Sequence, residues 1–136
     1  MKEMKHSGRV IIMKDDRVLM IKRVKKGRTY YVFPGGKGEV GETPRMTAIR
    51  EAYEELGVQV ALAECFAEIL FGEVTQYYFR AAITGGKLGT GEAEEFTTGE
   101  GTYELVWLKL CELAKFPVVP HEVAEKLGSL PDRQGK

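Results

Sequence analysis

Three glutamates crowd into five consecutive positions of this sequence. Glu51, Glu54 and Glu55 stand within the stretch REAYEELGV, residues 50–58. On a helical wheel, at about 100° per residue, the three carboxylates share an arc of about 100°. Like charges three and four positions apart on a helix repel by about 0.2–0.5 kcal/mol per pair. The cluster is therefore either a solvated acidic helix face or a site for a cation.

A glycine-rich segment directly before this stretch favours the cation site. Clustered carboxylates are hard oxygen ligands that suit Mg²⁺, with Mn²⁺ as a substitute. Mg²⁺ usually takes a few carboxylates and is completed by water and substrate phosphates. Residues 35–38 read GGKG, and glycine lets a backbone approach a ligand closely. Gly35, Gly36 and Lys37 are therefore candidate substrate contacts, although glycines also make plain turns.

A helix over residues 44–56 must position the glutamates. Thr43 is a candidate N-cap, Pro44 suits the first helical position, and Gly57 supplies a C-terminal stop. The apolar residues of this helix fall opposite the carboxylates on the wheel. The predicted core face consists of Ile49, Ala52, Tyr53 and Leu56.

The remaining pattern predicts an α/β fold with a mixed sheet in a single domain, residues 1–136. Strands are predicted over 9–14, 17–24, 29–33, 59–71, 73–84 and 103–108, the first two joined as a hairpin at 15–16. Residues 34–42 and 85–101 are predicted loops, 111–115 a short turn and 120–127 a last helix. We expect the polar tail, residues 130–136, to fray.

Composition excludes several classes of function. Lys plus Arg and Asp plus Glu each number 20, so no global charge favours a nucleic acid polymer or an anionic membrane. No stretch reads as a secretory signal or a membrane span, which predicts a cytoplasmic protein. The two cysteines are far apart and form no C-x-x-C pair, so a thiolate metal site is not expected.

From Gly36 onward the sequence reads GKGEVGETPRMTAIREAYEELGV. This resembles the Nudix box, G-x5-E-x7-R-E-U-x-E-E-x-G-U, in which U is a bulky apolar residue. The match covers residues 36–58, and Ala52 is a small occupant of the first U position. The resemblance implies an α/β/α sandwich around a mixed β-sheet. It also implies Mg²⁺-dependent hydrolysis of a nucleoside diphosphate linked to another group, X.

The resemblance also implies roles for individual residues. The catalytic set would be Arg50, Glu51, Glu54 and Glu55. The metal ligands would be Gly35 through its carbonyl, Glu42, Glu51, Glu54 and Glu55. Within these sets, Glu42 would support the site through water or a second metal, and Arg50 would hold a carboxylate in place.

The residue that removes a proton from the attacking water is left open. Glu51 is the first candidate, because a carboxylate can serve as a general base. Some family members use an acid from a distant loop instead. The candidates in the predicted loop 85–101 are Glu92, Glu94, Glu95 and Glu100.

Arg23, at the end of the second predicted strand, is a candidate contact to a phosphate or base, since a guanidinium suits bidentate anion recognition. A surface arginine in a basic stretch is an equal alternative. Five aromatic residues could stack on a base but are predicted as core: Tyr31, Phe33, Tyr77, Tyr78 and Phe79. His6 and His121 look isolated and are predicted to be non-catalytic.

The expected function is hydrolysis of a small nucleotide. The group X stays open among damaged nucleoside triphosphates, ADP-ribose, nucleotide sugars and dinucleoside polyphosphates. The alternative is a non-catalytic module that binds a nucleotide, although such modules usually have a damaged box. The resemblance allows a homodimer, but nothing in the sequence identifies an interface.

Overall fold

The computed structural model describes residues 5–89 and 102–130. The strands are β1 (Lys5–Lys14), β2 (Arg17–Lys25), β3 (Arg28–Val32), β4 (Gly35–Lys37), β5 (Val58–Phe71), β6 (Val74–Gly86), β7 (Thr102–Lys109) and β8 (Val118–Val119). The helices are α1 (Pro44–Leu56), a 3₁₀ helix (Leu110–Lys115) and α2 (His121–Gly128). Residues 5–12 and 34–89 form a first compact unit, and residues 13–33 and 102–130 form a second.

The first unit contains a mixed sheet in the order β5–β6–β1–β4. β1 runs parallel to β6 from Lys5 opposite Val74 to Ile12 opposite Ala81. The other two pairings, of β1 with β4 and of β5 with β6, are antiparallel. The segment 34–42 was predicted as a loop, yet Gly35–Lys37 pairs with β1 as a short strand. Its residues have little intrinsic strand preference, so only the pairing with β1 could reveal it.

Helix α1 begins and ends where the sequence predicts. The Thr43 side chain accepts a hydrogen bond from the Met46 backbone N–H at 3.1 Å, and Pro44 opens the helix. Gly57 adopts φ 81°, and its N–H donates to the Tyr53 carbonyl. These caps satisfy backbone groups that the helix itself leaves without partners.

The predicted core face of α1 is partly wrong. Ala52 and Leu56 are buried as expected, but Ile49 is 44% exposed and Tyr53 is 59% exposed. Thr47 and Ala48 are buried in their place. The cause is close packing on β1: a Cβ added at Gly8 would lie 2.7 Å from the Ala48 nitrogen. At so short a distance, small side chains fit and large ones do not.

The second unit is centred on β2. The predicted hairpin is confirmed, since Lys14 of β1 pairs with Arg17 of β2. β2 also pairs antiparallel with β3 and β7, while β3 pairs parallel with β8. In α2, one face is buried: Val123, Ala124 and Leu127.

The prediction of an α/β fold with mixed sheets is confirmed. Of the five aromatic residues expected in the core, Tyr77 is only half-buried, and four are buried: Tyr31, Phe33, Tyr78 and Phe79. Within the described residues, none of the helices has the length and apolarity that crossing a membrane would require. Residues 85 and 86, predicted to begin the loop 85–101, belong to β6 instead. Residues 90–101 of that loop and residues 131–136 of the predicted tail lie outside the described residues.

Candidate active site

Arg50 is the centre of the ion pairs on α1. Its guanidinium binds the Glu42 carboxylate in a bidentate manner, with Nε donating to Oε2 at 2.6 Å and Nη2 to Oε1 at 3.0 Å. Nη1 donates to Oε2 of Glu51 at 3.2 Å and to Oε1 of Glu54 at 3.1 Å. Nη2 also donates to the Lys37 carbonyl at 3.0 Å. Arg50 therefore links the start of the box to two of its three clustered glutamates.

Glu42 is held as an ionised carboxylate. Besides Arg50, its Oε1 accepts hydrogen bonds from the Glu39 backbone N–H at 2.9 Å and from the Thr47 hydroxyl at 2.7 Å. The bond from Arg50 is the main reason that the pKa of Glu42 falls from its ordinary 4.5 to about 2. The same ion pair raises the pKa of Arg50. Both oxygens of Glu42 are thus engaged by protein donors.

The surroundings of Glu51 shift its pKa in the opposite direction, upward. Its side chain is only 20% exposed, and burial raises its pKa, with the neighbouring Glu54 charge adding to the effect and Arg50 opposing it. A Cβ added at Gly36 would lie 2.5 Å from the Glu51 carboxyl carbon. A residue without a side chain is therefore required at Gly36 for this carboxylate to reach the backbone of β4.

The other two clustered glutamates differ in their surroundings. Glu55 Oε1 accepts a hydrogen bond from the Gly35 backbone N–H at 2.8 Å. The Glu54 side chain is 54% exposed and contacts Arg50. Gly35 and Gly36 are half-buried in β4, whereas Lys37 is exposed. The structure thus brings the predicted box residues together along α1 and β4.

In residues 5–89 and 102–130, no three or more His, Cys, Asp or Glu side chains are arranged as a ready metal site. The bonds above give the reason: Arg50 draws in Glu51 and Glu54, while Glu55 turns to Gly35. The donor chemistry still fits a hard divalent cation, because the set is made of carboxylates and backbone oxygens. A half-buried carboxylate with a raised pKa beside a second carboxylate is also a group that a nearby cation would stabilise.

Arg23 lies on β2 in the second unit. On β2 it pairs with Tyr30 of β3 on one side and Tyr103 of β7 on the other. Its guanidinium lies 5.1 Å from the centroid of the Tyr103 ring. Its Nε is buried and has no hydrogen-bond partner within the part of the chain that the structure describes. The loop candidates Glu92, Glu94, Glu95 and Glu100 lie outside the described residues.

Sequence reasoning missed two residues that contact the box network. Thr47 is fully buried on α1 and donates to Glu42. His6 was predicted to be isolated, but its Nε2 lies 2.8 Å from the Thr47 hydroxyl oxygen. On the helical wheel Thr47 falls within the arc of the three glutamates, which was a signal that its hydroxyl could contact the box network. For His6 the sequence held no signal, because the contact spans 41 positions.

Comparison with known proteins assigns the family. A family model described as the NUDIX domain matches residues 4–127. The chain belongs to the Nudix family. A MutT-like protein of Streptomyces ambofaciens is 38% identical over 124 residues, which cover 89% of this chain and 67% of that Nudix relative.

One further curated relative and one solved structure are also similar to this chain. The uncharacterized Nudix hydrolase YvcI of Bacillus subtilis (strain 168) is 40% identical over 50 residues, which cover 37% of this chain and 30% of that protein. A MutT structure, from work on Aliivibrio salmonicida and Vibrio cholerae, matches with a TM-score of 0.73 at 23% identity and covers 92% of this chain and 97% of that one. At this identity the likeness shows the Nudix fold alone. The aligned region spans less than a third of the YvcI chain.

Proposed function

We propose that this Nudix chain is a Mg²⁺-dependent pyrophosphohydrolase that cleaves the diphosphate linkage of a nucleoside diphosphate joined to a group X. The observation that carries the proposal is the carboxylate cluster of α1, in which Glu51 is half-buried with a raised pKa beside Glu54. A solvated acidic face would leave its carboxylates at their ordinary pKa. The products would be a nucleoside monophosphate and phosphorylated X, or pyrophosphate where X is phosphate.

The residues that would hold the cation are Glu51, Glu54 and Glu55, with the Gly35 carbonyl as a further oxygen donor. When bound, the cation would neutralise diphosphate oxygens and lower the pKa of a water molecule. The chain itself holds the glutamates in place: Arg50 contacts Glu51 and Glu54, and the Gly35 N–H contacts Glu55. Mn²⁺ would substitute for Mg²⁺, since both prefer oxygen ligands.

Glu42 supports the site through Arg50 in this proposal. Because both Glu42 oxygens accept hydrogen bonds from protein groups, an anchoring role fits the geometry better than direct metal ligation. Arg50 in turn fixes the side chains of Glu51 and Glu54. The pair therefore holds the carboxylates in register along the helix.

Glu51 is the proposed general base. A general base must lie within hydrogen-bond reach of the water that it activates, and the half-buried Glu51 carboxylate lies within the cluster that would hold the cation. Its closeness to Gly36 places the carboxylate against the backbone of β4. The carboxylate would take a proton from the attacking water and would later release that proton to solvent.

The proposed substrate contacts are Gly35, Gly36, Lys37 and Arg23. Lys37 is exposed and lies within the box, so its ammonium could reach a phosphate. Arg23, in the second unit, has its guanidinium beside the Tyr103 ring, and its buried Nε has no hydrogen-bond partner among the described residues. A guanidinium suits recognition of an anionic or planar group. The identity of X follows from measurement rather than from these contacts.

The test is phosphate and pyrophosphate release with Mg²⁺ across four substrate classes: damaged nucleoside triphosphates, ADP-ribose, nucleotide sugars and dinucleoside polyphosphates. A coupled phosphatase detects monophosphate products. Glu54→Gln should lower turnover by more than the about ten- to a hundredfold that loss of an outer-shell partner costs, because Glu54 is a proposed direct ligand. Glu122→Gln is the matched control, since Glu122 is an exposed helical glutamate in the second unit.

Two results would overturn this proposal. Wild-type turnover in Glu54→Gln would remove Glu54 from the site. No turnover on any class, together with saturable nucleotide binding, would instead favour the non-catalytic binding module.

A further inference from the structure

His6, Thr47 and Glu42 form a chain of hydrogen bonds that ends at Arg50. The His6 Nε2 lies 2.8 Å from the Thr47 hydroxyl oxygen. The Thr47 hydroxyl lies 2.7 Å from Oε1 of Glu42. The other oxygen of Glu42 receives the 2.6 Å bond from Arg50 Nε. All four residues belong to the first unit.

The chemistry of these groups fixes the direction of each bond. A hydroxyl has one proton to donate, and a carboxylate paired with a guanidinium can only accept. Thr47 therefore donates to Glu42, and its oxygen must accept from His6. It follows that His6 has a proton on Nε2. Both the imidazolium and one of the two neutral tautomers satisfy this requirement, so the bond does not depend on charge.

The surroundings also fix the position of the His6 ring. A Cβ added at Gly38 would overlap the ring, so a side chain there would displace it. The Gly38 N–H donates to the His6 carbonyl at 2.8 Å. The ring of Tyr77 lies edge-on with its centroid 6.5 Å away. The backbone of His6 is thus bonded to Gly38, and its ring lies between Gly38 and Tyr77 while its Nε2 contacts Thr47.

We propose that His6 is a positioning residue for the Nudix reaction and acts through Thr47 on the Glu42–Arg50 pair. Thr47 is fully buried, so its hydroxyl depends on protein partners for its hydrogen bonds. By accepting from His6 and donating to Glu42, it fixes the plane of that carboxylate. The carboxylate fixes the guanidinium, and the guanidinium holds Glu51 and Glu54. This inference rests on the proposed hydrolase function.

Two pairs of variants test the donor in the chain. His6→Leu removes the Nε2 donor, whereas His6→Gln offers an amide N–H of similar reach. Thr47→Val removes the hydroxyl, whereas Thr47→Ser keeps it. Losing an outer-shell partner typically costs about ten- to a hundredfold in activity. His6→Leu and Thr47→Val should lose kcat on that scale with little change in KM, and His6→Gln and Thr47→Ser should recover most of the loss.

His121→Gln is the matched control. His121 is the other histidine of the chain, and it contacts Glu125 within α2. The kcat of the His121→Gln variant should equal that of the wild type. A His6→Leu variant with wild-type kcat would overturn the inference, as would a His6→Gln variant no better than His6→Leu. Melting temperatures show whether each variant folds.

A nuclear magnetic resonance measurement tests the same chain without turnover. The ¹⁵N shifts of His6, read in His121→Gln to leave one histidine, should show a protonated Nε2. The Arg50 Nε–H resonance, assigned by its loss in Arg50→Lys, should move in His6→Leu and return in His6→Gln. An unprotonated Nε2 or an unmoved Arg50 signal would overturn the inference. Absent turnover in the wild type would contradict the proposed function instead, so the two failures are distinguishable.

Discussion

The two α-helices in the described part of the chain have opposite arrangements of charge along their axes. Helix α2 has Glu122 in its first turn and Lys126 in its last, the arrangement that the helix dipole favours. Helix α1 has no acidic residue in its first turn and no basic residue in its last. Its last turn contains Glu54 and Glu55, where the dipole disfavours anions. Local electrostatics thus explain the sequence of α2 and not that of α1.

At the N-termini the favourable feature belongs to α1 instead of α2. Helix α1 has a side-chain cap from Thr43, a contact that contributes about 0.5–2 kcal/mol, whereas α2 follows Pro120 without one. Capping and burial of one face therefore offset the charge repulsion in α1. A helix that keeps unfavourable charges while its other features are favourable points to a use for those charges outside folding.

Substitutions in the buried faces of the two helices should give the largest losses of stability, and the losses should be similar in both helices. Leu56 of α1 and Leu127 of α2 are 0% and 1% exposed. Replacing either by alanine should lower the free energy of unfolding by about 2–5 kcal/mol, because the substitution leaves a cavity. Urea unfolding measures both. An unchanged Leu56→Ala midpoint would contradict the orientation of α1 and break the comparison.

A smaller effect concerns the pH dependence of stability, which the Glu42–Arg50 ion pair should give to α1. The folded-state pKa of Glu42, about 2, lies below its ordinary 4.5, so its carboxylate adds stability above pH 4.5 and loses it as pH falls toward 2. The difference in melting temperature between wild type and Glu42→Gln should therefore shrink over that window. Leu127→Ala in α2 changes no ionisable group, so it should show no such trend. A Glu42→Gln difference that is constant with pH would contradict the ion pair with Arg50.

The smallest effect concerns the outer face of α1. Tyr53 is 59% exposed, and exposed substitutions usually change stability by less than about 0.5 kcal/mol. Tyr53→Ser should therefore unfold at nearly the wild-type urea concentration. A loss as large as that of Leu56→Ala would restore the orientation predicted from the helical wheel.

The sequence predicted those features that depend on neighbouring residues. The bounds of α1 follow from Thr43, Pro44 and Gly57, whose conformational preferences act locally. The wheel failed for Ile49 and Tyr53 because it weighs residues by polarity alone.

Features that arise between distant segments could not be read from the sequence. The close contact of α1 with Gly8 of β1 requires small residues, and it selected Ala48 instead of the larger apolar side chains. The pairing of β4 with β1 and the contact of His6 with Thr47 likewise join distant segments. The box motif selected the glutamates that are proposed for the site. The surroundings that lower the pKa of Glu42 and raise that of Glu51 are known only from the folded chain.

The most direct test of the account is Glu51→Gln, measured for both stability and turnover at pH 7 against Glu122→Gln. Burial raises the pKa of Glu51, so its ionised form costs stability above its ordinary pKa. In Mg²⁺-free buffer Glu51→Gln should unfold at a higher temperature than the wild type. With Mg²⁺ and the substrate found in the panel, it should turn over about 10²–10⁴-fold more slowly, because the general base is lost. Retained turnover, or a fall in stability together with turnover, would contradict a role for these charges in catalysis.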